Sequence, residues 1–361
     1  MIRIRSTKKV TVAKVVLAVI GLFLFSVMWS NPGEAASPIQ MKFASMLAPN
    51  HPITPVFLEL AKELSEASNG AVVIEFHGSE SMGKAAENWD LVAEGLADIA
   101  LVACAYTPAR FQMSAVAELP FFSTSSRTSY DVVQALLAKN LINSEFEPNK
   151  LLFPMMPPPA QIFTNKKITK IEDFKGVRFF GAGPVWAKTW GLLGAQMVSI
   201  GMQDVYLALE RGTLDAAANN WASVMSYRWV EVAKYPIEIN LMGGWFAGLI
   251  MNNKSWSKLS PEVQAAWTKI CEKYGPRCAA VFDGVESVAK KVWTDAGKTI
   301  EKFPAAEKEK LGVVLAPVWQ EWIDRMEKAG KPGKEIYKTY VEALKQKGEP
   351  VVMKVPGLYK E

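Results

Sequence analysis

The chain has 361 residues, 50% of them hydrophobic and 21% charged, with a formal charge of +5, enough apolar material for a substantial core and a length that suggests two domains. Five Lys/Arg and one acid, Glu34, fall within residues 1–35, so a chain without that stretch carries +1 rather than +5. The apparent basicity therefore offers no footprint for phosphates, which argues against nucleic acid as a partner.

Arg3, Arg5, Lys8, Lys9 and Lys14 precede an apolar run from Val15 to Trp29, and Asn31-Pro32-Gly33-Glu34-Ala35-Ala36 follows. This is the tripartite pattern of a secretory signal peptide over residues 1–35, cleaved after Ala35 or Ala36. A retained anchor is the alternative, although the run is short for a full span. With no nearby cysteine and no Arg-Arg pair, a Sec-type route is expected.

A strand is expected from Met41 to Met46, then a loop with Asn50-His51-Pro52. Phe57, Leu60, Ala61 and Leu64 share one helical face, and Asn69-Gly70 ends that helix. Strand Val72 to Phe76 follows, then a helix carrying Trp89, Val92, Ala93 and Leu96, then the apolar run Ile99 to Ala103. The run reads as a strand buried on both faces, and the βαβαβ order argues for a parallel sheet in an α/β domain. A further helix is expected across Ser129 to Asn140, and uncharged, Pro-rich Leu151 to Pro159 reads as a connector.

The second half is organised around Phe174 to Asn220. A short strand there carries Arg178 at its end and breaks at Gly181-Ala182-Gly183-Pro184; a helix with Trp186, Trp190 and Leu193 on one face follows. A second helix, Gln203 to Arg211, stops at Gly212, and an Ala-rich strand delivers Asn219 and Asn220. An arginine fork, a helix start with Pro and two carboxamides could seat a small anion. The alternative is an ordinary αβ unit whose arginine pairs with a surface carboxylate.

Gly95-Leu96-Ala97-Asp98 recurs as Gly212-Thr213-Leu214-Asp215, each between a helix and a strand, which fits two similar halves. From Ser260 the chain reads as mostly helical, with breaks at Pro261, Gly275-Pro276, Pro304 and Pro332; the tail after Gly348 reads as a loose extension. Cys271 and Cys278 would stand about 10 Å apart on an unbroken helix, too far to bridge, unless Gly275-Pro276 bends the chain. Cys104 reads as a buried thiol.

Only two histidines occur, His51 and His77, and neither has a ligand-type partner at a metal-binding spacing, so no metal and no cofactor is expected. No Walker loop, no G-x-G-x-x-G after a strand and no G-x-S-x-G elbow is present. Trp186, Trp221, Trp245 and Phe246 read singly as core residues and together as an apolar cleft with few polar contacts.

Lys42-Phe43-Ala44, Pro49-Asn50-His51-Pro52, Ser81-Met82-Gly83 and Glu118-Leu119-Pro120-Phe121-Phe122 resemble segments of the solute-binding proteins of TRAP transporters, dicarboxylate-binding (DctP) type. Asp173-Phe174-Lys175-Gly176-Val177-Arg178 resembles that family's "dlkGlkiR" segment, and Asp204 to Leu209 with Gly212 to Asp215 its "EvYtALqtGvvDg" segment.

The resemblance implies a two-domain α/β periplasmic fold with a ligand cleft between domains and a long bracing helix. Domain I would hold residues 38–157 plus about 245–285, and domain II residues 158–244 plus about 286–361. It implies a receptor without catalysis that hands a small organic acid to membrane permease subunits, with a homodimer through the C-terminal helices open. Arg178 is implied as the carboxylate clamp, Asn219 as the cleft asparagine and Met202 as a wall residue. Arg110 and Glu87 fall near first-domain cleft segments, and Trp186, Trp221 and Trp245 would shape the pocket. Pro158-Pro159-Ala160-Gln161 carries no second arginine, which argues for a monocarboxylate or a sulfonate over a C4-dicarboxylate. A secreted α/β enzyme and a sensing module are the rival readings.

Overall fold

The computed structural model describes residues 37–181 and 183–359, so the expected signal peptide lies outside the described residues. Among the described residues eleven strands form two sheets. In chain order they are β1 (Ile39–Ala44), β2 (Val72–His77), β3 (Ile99–Ala103), β4 (Lys150–Met155), β5 (Ala160–Thr164) and β6 (Arg178–Phe180), then β7 (Gln196–Val198), β8 (Ala216–Asn219), β9 (Tyr235–Met242), β10 (Ala247–Met251) and β11 (Glu301–Lys302). The helices are α1 (Thr54–Ala67), α2 (Asn88–Ala93), α3 (Ser126–Ala138), α4 (Gly183–Leu192) and α5 (Val205–Glu210), then α6 (Trp221–Ser226), α7 (Asn253–Ser257), α8 (Pro261–Asp295), α9 (Ala305–Lys328) and α10 (Gly333–Gln346).

One sheet runs β2-β1-β3-β10-β4, the other β11-β9-β5-β8-β6-β7. The chain makes two short crossings between them, at residues 156–159 and 243–246, and a third, long one from β10 to β11 that runs through α8. The first sheet is mixed rather than parallel: β1 and β3 run parallel, but β10 lies antiparallel to both β3 and β4. Local pattern cannot reveal a strand that arrives from more than a hundred residues away. The expected connector also shrinks, because Lys150 to Met155 is β4. Its Pro154 is tolerated because β4 is an edge strand, where a missing donor breaks no ladder.

The short echo is a structural repeat. Gly95 and Gly212 sit at φ +76° and +68°, and each ends its helix with a bond that reaches back six residues, Ala97 N–H to Leu91 O at 2.9 Å and Leu214 N–H to Ala208 O at 3.0 Å. Asp98 and Asp215 then hold the backbone of the neighbouring parallel strand through one carboxylate oxygen, from Lys42 N–H within β1 at 2.8 Å and from Arg178 N–H at the start of β6 at 2.9 Å. Arg178 is thus the counterpart of Lys42, and it begins β6 rather than ending it.

Helix α8 continues for 35 residues through Gly275-Pro276. Proline removes a single donor, and the carbonyl left without it belongs to exposed Glu272. Gly275 is needed for space, since a Cβ there would meet Tyr130 at 2.4 Å. The unbroken helix keeps Cys271 and Cys278 apart, and both are free buried thiols. At about 50 Å, α8 braces both sheets. Trp267 donates to Leu64 O at 2.9 Å and Tyr274 to Glu63 at 2.7 Å near one end, while Trp293 packs on Phe163 near the other. Helix α10 packs on α3. The tail is held rather than loose: Met353 and Val355 are buried, and the Tyr337 hydroxyl donates to Met353 O and accepts from Val355 N–H.

The two short crossings press on each other. A Cβ on Gly243 would stand 2.0 Å from Ala117 O, and one on Gly244 2.0 Å from Pro157 O. Gly243→Ala should therefore lower stability by roughly 2–4 kcal/mol in urea unfolding. Gly284→Ala, in α8 with nothing near its Cβ position, should raise it by about 0.5–1 kcal/mol.

Candidate functional site

The strands of both sheets end around one hollow, whose empty space is about 820 Å³ with the open solvent at its mouth included. Met46 and Leu47 follow β1, and Ala105 and Tyr106 follow β3. Phe180 and Gly181 close β6, Ala218 and Asn219 close β8, and Trp186 comes from α4. The crossings supply Pro158, Gly243, Gly244 and Trp245. A crevice at strand ends is where open α/β sheets place their ligands, because loops and helix starts converge there.

Four expected site residues line this hollow: Asn219, Met202, Trp186 and Trp245. Asn219 spends its carbonyl locally, accepting from Asn220 N–H at 2.8 Å and from the Asn220 amide at 3.1 Å. Its own NH2 has only the Met202 sulfur at 3.5 Å, so its two donors are largely free for a ligand. Asn220 caps α6 by accepting from Ser223 N–H at 2.9 Å.

The other four lie elsewhere. Arg178 is at the opposite end of β6, where Nε and Nη2 grip the two oxygens of Asp215 at 2.9 Å each and Nη2 also reaches Gly212 O at 2.7 Å. That hydrogen-bonded fork holds the Asp215 carboxyl well below the usual carboxylate range, with Lys166 assisting at 3.1 Å. The arginine is committed to a strand-start clamp, so it is withdrawn as a carboxylate clamp. Counted from Asp173, the eight-position family pattern ends at Phe180, which does line the hollow. Trp221 turns into the core against Phe163 and Trp293. Arg110 stacks over Trp89 at 4.1 Å and donates to Glu145 O and Glu147 O. Glu87 accepts from Lys84 N–H at 2.6 Å to cap its own short turn.

Sequence reasoning missed Glu80, Tyr106, Phe180, Gln203 and Tyr227, all in the lining. Glu80 is the one charged side chain among them. Its Oε1 accepts Ala85 N–H at 2.9 Å, and Oε2 lies 3.4 Å from the exposed Lys84 ammonium. Burial first, with the Glu80 charge contributing, pushes Tyr106 and Tyr227 up to about 12, so both keep their protons as donors. Among the described residues, no three His, Cys, Asp or Glu are grouped to hold a metal ion.

Two residues after β1 tie the first half to α6. Asn50 donates to Ser226 O at 3.1 Å, and the His51 ring lies against Ser223 at 3.5 Å. His51 Nδ1 accepts Ile53 N–H at 3.2 Å, which leaves the proton of the neutral ring on Nε2. Burial lowers this histidine to about 4.

The family described as "Bacterial extracellular solute-binding protein, family 7" (DctP) matches residues 43–325. The C4-dicarboxylate-binding periplasmic protein DctP of Rhodobacter capsulatus is 23% identical over 313 residues, covering 86% of this chain and 93% of the relative. A TRAP solute-binding protein of Rhodoferax ferrireducens, solved with benzoate, superposes with a TM-score of 0.78 at 24% identity, over 86% of this chain and 98% of that one. A Bordetella bronchiseptica TRAP protein solved with mandelate has a TM-score of 0.77 at 22% identity, over 86% and 99%.

Arg178→Ala should lower the melting temperature, because Asp215 is left buried without its fork, yet change ligand affinity by no more than about twofold; differential scanning and calorimetric titration read the two effects. For His51 the unfolded chain takes up a proton near pH 6.5 and the fold only near about 4, so stability falls as pH drops through that window. Between pH 7 and 5 the contribution is about 2 kcal/mol. Buried Glu118, raised to about 8, works in the opposite direction, so the difference between wild type and His51→Gln isolates the histidine.

Proposed function

The chain belongs to the bacterial extracellular solute-binding protein family 7, and we propose that its hollow captures a small organic acid for delivery to the membrane permease of a TRAP transporter. It is a receptor, not an enzyme. The observation that carries the solute reading is the hollow where both sheets end, with the Asn219 donors aimed into apolar walls. Binding energy would come from contacts on both sheets at once, which favours the closed arrangement of the two lobes. The proposed lobes are 38–157 with about 245–285, and 158–244 with about 286–361; the short crossings at 156–159 and 243–246 support the inner boundaries, whereas α10 packs on α3 of the first lobe. No described helix is long and apolar enough to cross a membrane. A Sec leader cleaved near Ala35 or Ala36 would deliver the mature chain to the periplasm.

Relatives of this fold were solved with benzoate, mandelate and pyroglutamic acid, so the acid set should span those shapes, with and without an amino group. Thermal unfolding should show at least one acid stabilising the protein by roughly 2.7 kcal/mol at a hundredfold over its dissociation constant. Asn219→Asp, which keeps an acceptor for the Asn220 donors but loses the NH2 group, should weaken that acid about tenfold. If every acid leaves the melting temperature unmoved, the acid-receptor reading fails.

A further inference from the structure

We infer that the hollow selects a zwitterion, an amino acid or betaine in which a carboxylate and an ammonium group are joined, and disfavours a simple anion. The inference rests on the receptor reading above and specifies its ligand class. The first ground is the charge of the lining: it contains no Lys, Arg or His, and its single acidic side chain is Glu80. A bare carboxylate entering there would lose water, meet no cation and face a like charge in a medium where charges are poorly screened. Arg178, 2.9 Å from both Asp215 oxygens, is not available to offset this.

The second ground is how Glu80 is presented. Its side chain is 13% exposed, and Ser79 and Glu80 both hold left-handed backbone, φ +55° and +59°. The turn is pinned by Ser79 N–H to Leu47 O at 3.0 Å and Glu80 N–H to Ser45 O at 3.2 Å. One Glu80 oxygen serves Ala85 N–H, and the other has only a long contact to a lysine on the outer surface. Tyr106, Trp186, Tyr227 and Trp245 bring aromatic rings to the same hollow. Aromatic faces with one carboxylate attract ammonium and quaternary ammonium groups through the ring quadrupole.

The third ground is the supply of neutral donors. The Asn219 NH2 is nearly unspent, and among the described residues the Tyr106 and Tyr227 hydroxyls have no protein partner. These groups suit a carboxylate whose charge is already balanced within its own molecule. Ammonium to Glu80 and the rings, with carboxylate to Asn219 and a tyrosine, leaves the solute neutral overall and each of its charges hydrogen-bonded.

Two matched sets test the idea by calorimetric titration of the mature protein: phenylalanine, phenylacetate and phenethylamine, and the smaller glycine betaine, acetate and choline. The zwitterion should bind most tightly within at least one set. Glu80→Gln, which keeps an acceptor for Ala85 N–H, should weaken that zwitterion at least tenfold and leave the matching anion unchanged or tighter. Glu80→Gln combined with Phe180→Arg should reverse the preference toward the anion. An anion that binds most tightly to wild type overturns the inference while leaving the acid receptor intact. A cation that binds most tightly overturns both. Equal weakening of zwitterion and anion in Glu80→Gln shows a structural role and overturns the inference, as does absence of binding across both sets.

Discussion

The hollow exists because two chain crossings lie against the protein with no side chain between. Gly243 faces the Ala117 carbonyl and Gly244 the Pro157 carbonyl at distances that admit only hydrogen. Each crossing moves the chain from one sheet to the other, so their close approach brings the strand ends of both sheets around one space. Helix α8 adds a brace along both sheets, anchored by Trp267 and Tyr274 near one end and by Trp293 near the other. Two of the three connections between the sheets are therefore short, and the third carries the long helix α8.

Charge is divided between the two ends of the strands. On one side, Asp98 and Asp215, each just before its own strand, hold the neighbouring strand by its backbone, and Lys42 and Arg178 occupy equivalent positions beside them. At the far ends, the equivalent positions two residues on are Ala44 and Phe180, both apolar. An arginine two residues from a pocket wall on a three-residue strand therefore belongs to structure, while a phenylalanine lines the hollow. Asn219 reaches the site because β8 ends there and Asn220 immediately starts α6, which orients the carboxamide beside it.

Much of the fold was legible. Helical periodicity with Asn69-Gly70 and Gly212 as stops marked real helix ends, since only a left-handed residue closes a helix that way without strain. The four-residue echo marked a real repeat of turn and strand clamp. Legibility failed where distant partners override local signals. Gly275-Pro276 reads as a break but is carried through by packing of α8 on Tyr130, and a strand holding Pro154 ahead of three more prolines reads as a connector until its edge position is known. The resemblance pointed correctly to the family, yet a two-residue register shift put the clamp on Arg178.

By itself the sequence determined what depends on near neighbours: where helices begin and stop, which strands are apolar on both faces, the repeated turn and the family. It also placed Asn219, Met202, Trp186 and Trp245 among the candidates. Only the tertiary structure decided which side chains share a surface, because partners such as Arg178 and Asp215 lie 37 residues apart and satisfy each other before any ligand arrives. It also decided the sign of the site. Glu80, Tyr106, Phe180 and Tyr227 stand in four separate segments with no common motif, and their convergence is a property of chain path, which short-range propensity does not encode.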